Sequence, residues 1–278
     1  MPRVAVNGID LAYEEWGEGI PLVFAHEFAG SLECWKPQAR QLARHYRVIA
    51  YNARGYPPSD VPTDPDAYSL DQSVDDLRGF LAALGIESAH IGGLSMGGGL
   101  SVAFALKHPQ VCRSIIVASA GSGSTGVEAF REQQRAMSER LVQEGLGDRA
   151  HYEWGARRIQ LKLKDPIGAE EFLDQWFAHS ALGLAFTARA VQGRRPPLFE
   201  YEEALQKLDV PALIMIGDED EPCIEPALFL RRTLRRSGLV VFPRSGHAIN
   251  LEEPEMFNRH VLDFLQAVGA GQWPAGGE

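Results

Sequence analysis

The sequence predicts an α/β fold: a mostly parallel, eight-stranded sheet flanked by helices, with an inserted helical cap. Three observations carry this. Asn7-Gly8 joins the alternating segments Val4–Val6 and Leu11–Trp16, the pattern of a two-residue hairpin turn. From Pro21 onward, short apolar runs alternate with stretches of helical periodicity, the mark of parallel strands covered on both faces. Between Gly121 and Glu203 the β-like runs stop and only helical spacing remains, so this block reads as an insertion.

The elements follow in order. After the hairpin, Pro21–Ala25 is a third strand, and a helix is expected from about Leu32 to Arg44. Arg47–Tyr51 is a strand, followed by the loop Arg54-Gly55 through Ser59-Asp60. Ser69 and Gln72 form a capping box for a helix whose Val74, Leu77, Leu81 and Leu84 share a face, with Gly85 at its end. Ile91–Leu94 and Ser114–Ala118 are strands separated by a helix that Pro109 terminates. Within the insertion, helices are expected around Phe130–Leu141, Trp154–Leu163 and Ala169–Phe177, with Arg194–Pro197 as the linker back. Ala212–Ile216 is a strand, Pro226–Arg236 a helix and Leu239–Phe242 the last strand. The final helix opens near Pro254 and carries Phe257, Val261, Phe264, Leu265 and Val268. The expected organisation is a core of 1–120 and 204–278, a cap of 121–203, and a frayed tail over 269–278.

The stretch around Ser95 organises the chain. Gly93-Leu94-Ser95-Met96-Gly97 turns from an apolar strand into a helix within about one residue. Side chains at i−2 and i+2 would collide in so tight a turn, and glycine removes them. A serine hydroxyl is thereby held at a helix N-terminus, where free N–H groups and the helix dipole favour negative charge. This is the nucleophile-elbow pattern. The bland alternative is a serine that merely caps the helix.

Composition narrows the function classes. A net charge of −10 argues against nucleic acid and anionic membranes as partners. No apolar run approaches the ~20 residues that span a bilayer, and the N-terminal residues lack the apolar region of a signal peptide. Cys34, Cys112 and Cys223 are odd in number and far apart, which fits neither a disulfide framework nor a zinc knuckle, so a cytoplasmic location is expected. No metal or nucleotide motif is present, and no cofactor is expected.

In parallel sheets, chemistry gathers at the carboxyl ends of strands. Four candidates follow strands: His26-Glu27-Phe28, Ser95, the acidic run Asp218–Glu221, and His247. A serine hydroxyl needs a base, imidazole suits that task near neutrality, and a carboxylate fixes its tautomer. Among eight histidines, His247 best meets the placement, and His26 is expected to hold its loop. Asp220 is the first choice of acid and Asp218 the second, since Pro222 stiffens the far end of the run.

Taken together, Gly93–Gly97, Gly217-Asp218-Glu219-Asp220, Gly246-His247 followed by Leu251–Glu255, and Arg54-Gly55 through Ser59-Asp60 resemble, in order, the motifs of the lid-bearing serine hydrolases of the α/β-hydrolase fold. The resemblance selects Asp220 as the acid. It also implies an oxyanion hole from the Phe28 and Met96 amides, worth roughly 3 kcal/mol per donor. One departure is plain: the family's His-Gly-Phe or His-Gly-Trp is His26-Glu27-Phe28 here. Glu27 either turns away to pair with an arginine or contributes substrate contacts or acid/base chemistry. Trp35, Trp154 and Trp176, with Glu27, are the expected substrate-binding residues, and Arg54 is expected to be structural.

The resemblance implies a hydrolase of a small carboxylic ester, lactone or related acyl compound, working through Ser95, His247 and Asp220. The alternatives on the same fold are a carbon–carbon bond hydrolase of a vinylogous diketone, a cofactor-free oxygenase or perhydrolase, and a ligand-binding receptor.

Overall fold

The structure is a computed structural model, described here for residues 1–273. Eight strands form one sheet: β1 (Arg3–Val6), β2 (Ile9–Trp16), β3 (Pro21–Ala25), β4 (Arg47–Tyr51), β5 (Ala89–Leu94), β6 (Cys112–Ala118), β7 (Ala212–Gly217) and β8 (Ser237–Phe242). Their spatial order is β1-β2-β4-β3-β5-β6-β7-β8. Only β1 with β2 and β2 with β4 run antiparallel; the remaining pairs are parallel. The hairpin turn is the expected one, with both Asn7 and Gly8 at positive φ.

Helices cover both faces. The core helices are α1 (Lys36–Leu42), α2 (Leu70–Ala83) and α3 (Met96–Lys107). Helices α4 (Val127–Glu144), α5 (Ile159–Lys164), α6 (Pro166–Ala178), α7 (Ala181–Phe186) and α8 (Glu202–Lys207) all lie between β6 and β7. Helices α9 (Glu221–Thr233), α10 (Ile249–Glu252) and α11 (Pro254–Gly269) complete the chain. One face of the sheet packs Leu77, Phe80, Phe104 and Leu230 of α2, α3 and α9 into a core. The other packs Leu42 of α1 and Phe257, Val261 and Phe264 of α11. Among the described residues no helix is long and apolar enough to cross a membrane.

Several boundaries differ from the sequence reading, each for a local reason. The first helix splits into a 3₁₀ turn, Leu32–Trp35, and α1, because Pro37 falls in the first turn of the α segment, where its missing N–H costs nothing. Only half of the capping box forms: Ser69 Oγ accepts from the Gln72 N–H at 2.9 Å, while the Gln72 side chain donates to Asp76 instead. Helix α9 starts at Glu221 rather than Pro226, with Pro222 in its first turn and Asp220 at its N-cap. The helix expected from Trp154 begins only at Ile159, leaving residues 153–158 irregular.

The tail expected to fray from 269 is instead held as far as Trp273. The Trp273 indole N–H donates to the Arg236 carbonyl at 3.1 Å, and Arg236 Nη2 donates to the Trp273 carbonyl at 2.8 Å. Its ring meets Phe264 edge-on at 4.8 Å. Residues 274–278 of that expectation lie outside the described residues.

Candidate active site

Ser95 sits where β5 turns into α3, at φ 55° and ψ −107°, a conformation that costs a non-glycine residue of order 1–3 kcal/mol. Its neighbours leave no alternative. A Cβ at Gly93 would stand 2.2 Å from the Gly97 carbonyl carbon, and one at Gly97 would stand 2.0 Å from the Ala25 oxygen. The turn is anchored by the Ser95 N–H donating to the Ala118 carbonyl at 2.8 Å. The Ser95 side chain makes no capping bond, so the hydroxyl is not spent on the helix.

His247 follows β8, and its position is set by contacts on three sides. Its main-chain N–H donates to the Arg157 carbonyl at 2.7 Å. The carboxylate of Glu252, on α10, accepts from the Gly246 and Ala248 N–H groups on either side. Its imidazole Nδ1 lies 2.7 Å from Asp220 Oδ2. Both side chains are buried, at 2% and 0% exposure. Burial lowers the His247 pKa below its usual value, against the opposing pull of Asp220 and with the help of Arg157 and Arg158. Asp220 is held well below the usual carboxylate range: burial pushes it up, but His247 and Arg157 outweigh that. Asp218, the second choice of acid, accepts from the Ser245 N–H at 3.1 Å and so holds the His247 loop.

The third strand delivers His26, Glu27 and Phe28 to the same end of the sheet. His26 Nδ1 faces the Glu27 carbonyl at 2.7 Å, and its Nε2 accepts from the Ala53 N–H at 3.0 Å. Both nitrogens hold backbone, and burial pushes the His26 pKa down to about 4. Tyr56 donates to the Phe28 carbonyl at 3.0 Å. Among the described residues the Phe28 N–H has no backbone acceptor. Met96 is the first residue of α3, where an N–H has no intrahelical partner. The loop touches both halves of the site: the His26 carbonyl oxygen lies 2.9 Å from where a Cβ on Gly97 would be, and Glu27 Oε2 lies 3.8 Å from His247 Nε2.

Of the two alternatives the sequence left open for Glu27, the arginine pair forms, but the side chain does not turn away from the site. It pairs with an arginine, Arg158, and at the same time faces the imidazole. Arg158 is one of two adjacent residues that sequence reasoning missed. Arg157 Nε donates to Asp220 Oδ1 at 2.7 Å, and its Nη2 stands 2.7 Å from His247 Nδ1. Each imidazole nitrogen therefore faces a carboxylate–arginine pair: Asp220 with Arg157 at Nδ1, and Glu27 with Arg158 at Nε2. The only signal in the sequence was Arg157-Arg158 itself, following Gly155. The helical reading of 154–163 concealed it, because on a helix adjacent side chains point apart.

The expected pocket residues separate. Trp35 is fully buried in the core, stacked on Phe24 at 4.2 Å and tilted against Phe257, away from the cavity that Trp176 lines. It is large, apolar and beneath the sheet's covering helix, where core packing claims it. Trp154 packs against Phe172 at 6.0 Å. Trp176 does line a cavity of about 510 Å³, together with Phe28, Tyr152, Arg158 and Phe177. Arg54 forms a buried ion pair with Asp76, as expected of a structural residue.

Asp220, Cys223 and His247 offer ligand atoms within 4.8 Å of one another. The set does not suit a metal. The Cys223 thiol is pushed up to about 12, chiefly by burial, and the Arg157 guanidinium already contacts all three groups.

Comparison with known proteins agrees with this architecture. The family profile described as alpha/beta hydrolase fold matches residues 20–151. The chain is 30% identical to a 2-hydroxymuconate semialdehyde hydrolase of Pseudomonas sp. (strain CF600), over 96% of this chain and 94% of that protein. It is 27% identical to a 3-oxoadipate enol-lactonase of Acinetobacter baylyi, over 89% of each. A thermophilic esterase from Thermogutta terrifontis superposes with a TM-score of 0.83 at 26% identity, over 96% of this chain and 98% of that one. The chain belongs to the α/β-hydrolase fold family of enzymes.

Proposed function

We propose that the protein is a serine hydrolase that cleaves a small carboxylic ester, lactone or related acyl compound through an acyl-enzyme. Ser95 Oγ attacks the carbonyl carbon, and His247 Nε2 takes its proton. Asp220 orients the ring through Nδ1 and balances the imidazolium charge. The Phe28 and Met96 amides receive the developing oxyanion, helped by the N-terminus of α3. His247 returns the proton to the leaving group, and water then attacks the acyl-Ser95. The observation that carries this reading is the buried pair of His247 and Asp220, 2.7 Å apart, at the same end of the sheet as a strained serine that caps nothing.

Residues 121–203 act in this reading as a cap over the site. Its irregular stretch at 153–158 reaches Asp220, His247 and Glu27 from above, and its Tyr152, Trp176 and Phe177 wall the cavity. The three free cysteines suit a reducing compartment.

A second reading keeps the same residues and cleaves a carbon–carbon bond of a vinylogous diketone. The 30% identity to a 2-hydroxymuconate semialdehyde hydrolase favours it over the remaining alternatives. The test has two stages. A fluorophosphonate probe is expected to label the peptide containing Ser95, and Ser95→Ala is expected to abolish labelling; an unlabelled wild type would remove the mechanism. Turnover of p-nitrophenyl esters and enol-lactones against ring-fission diketones then separates the two substrate classes.

A further inference from the structure

Glu27 is a buried carboxylate with one oxygen satisfied and one not. Its Oε2 pairs with Arg158, while Oε1 has no hydrogen-bond partner, although the side chain is only 1% exposed. An unpartnered buried acceptor of this kind keeps its desolvation penalty uncompensated unless something donates to it during function. The carboxylate to which it belongs borders the reacting nitrogen. Oε2 stands 3.8 Å from His247 Nε2, the nitrogen that exchanges protons in the reading above. Nε2 and this carboxylate, whose Oε1 accepts from no other group, can each receive one hydrogen bond from the same small molecule. Arg158 balances the carboxylate's charge, so that Glu27 does not simply repel an oxyanion forming beside it.

Water has two O–H bonds to give; an alcohol has one. We propose that Glu27 selects water over alcohols as the acyl acceptor. The proposal rests on the acyl-enzyme reading. In the second half-reaction the attacking water donates one O–H to His247 Nε2 and the other to the Glu27 carboxylate. The water oxygen bonds to the acyl carbon as its first proton passes to Nε2. The tetrahedral intermediate then breaks its bond to Ser95 Oγ, which recovers the proton from His247. The carboxylic acid that leaves retains the water oxygen and the second proton, which then dissociates to solvent. Glu27 accepts a hydrogen bond throughout and takes no proton. An alcohol in the same place satisfies Nε2 and leaves Glu27 unmet.

The test acylates the enzyme with p-nitrophenyl acetate in water containing methanol and measures acetic acid against methyl acetate. Glu27→Met removes the acceptor. Glu27→Met/Arg158→Met also removes the cation left without its partner, and serves if the single variant does not fold. The expected result is a hydrolysis-to-methanolysis ratio about tenfold lower than wild type, the scale of one hydrogen bond to a charged group. Both products arise after acylation, so their ratio reads the choice of acceptor whatever the variant does to the acylation rate. A ratio that does not move, or hydrolysis and methanolysis falling together, would overturn the proposal, since a merely structural Glu27 affects both acceptors alike. Intact mass of the wild type tells this failure from the larger one: absence of an acetyl-Ser95 species would overturn the acyl-enzyme reading, and this proposal with it.

Discussion

Arg157 Nη2 and Asp220 Oδ2 compete for one atom: each stands 2.7 Å from His247 Nδ1. A carboxylate only accepts and a guanidinium only donates, so the nitrogen pairs with Asp220 when it carries the proton and with Arg157 when it does not. The cationic neighbour also opposes a positive imidazole. Burial acts with it, against the pull of Asp220, and the balance favours a neutral ring.

This sets the pH dependence. His247 has its pKa lowered, so the acid limb of kcat/KM is expected below the ordinary histidine value of about 6.5. In the proposed mechanism His247 works as a neutral base, so activity is expected to fall as pH drops through that limb and to be full at neutrality. Removing the Arg157 charge with Arg157→Gln removes one cause of the depression, and the limb is expected to move toward higher pH. A pH profile of the variant that overlays the wild type would refute this role.

Ser95 holds a conformation that glycine adopts at no steric cost. Ser95→Gly is expected to abolish acyl turnover, by roughly four or more orders of magnitude, while stabilising the fold by about 1 kcal/mol. Thermal unfolding beside esterase assays checks both halves. A destabilised Ser95→Gly would mean that the backbone there is not strained.

The three glycines that open α3 are not equivalent. A Cβ at Gly97 would overlap the β3 backbone, whereas at Gly99 it would meet only Arg195 Nη1, at 3.7 Å. Gly97→Ala is expected to cost more than about 3 kcal/mol or to prevent folding. Gly99→Ala is expected to gain about 0.5–1 kcal/mol from helix propensity. Denaturant midpoints of the two variants give the comparison.

Acid is expected to loosen the fold ahead of carboxylate titration. Burial lowers the pKa of His26 and of His90 to about 4. Between about 6.5 and 4 the unfolded chain binds protons that these folded histidines refuse, so stability is full above 6.5 and is lost as pH falls toward 4. Stability measured across that window is expected to slope downward with acid, and His90→Gln is expected to flatten the slope. An unchanged slope would show that His90 takes no part.

Trp273 closes the far edge. Its ring fills the space over Gly238, where a Cβ would lie 2.8 Å from it. Trp273→Ala is expected to destabilise by about 1–3 kcal/mol, read as a lowered unfolding midpoint.

The sheet was legible because each strand announces itself locally. Asn7-Gly8 marks the hairpin, and apolar runs such as Ile91–Leu94 and Ala212–Ile216 are bounded by turn residues. The elbow was legible for the same reason: Gly93, Ser95 and Gly97 lie within five residues, and their crowding is a property of that short stretch alone. The placement of Ser95, His247 and the acid run at strand ends followed from the alternation of elements. What the sequence by itself determined, then, is the strands, the elbow and the order of the elements, while helix boundaries such as those at Lys36 and Glu221 escaped it.

Tertiary structure decided the rest. Arg157 reaches Asp220 across 63 residues and Arg158 reaches Glu27 across 131, so no periodicity in the sequence relates them. Trp35 entered the core and Trp176 the cavity wall, though both are tryptophans on helical stretches. The physical reason is one of range. Backbone conformation answers to neighbours in the chain, whereas the charge and burial around His247 are sums over groups that only the closed fold brings within a few ångströms.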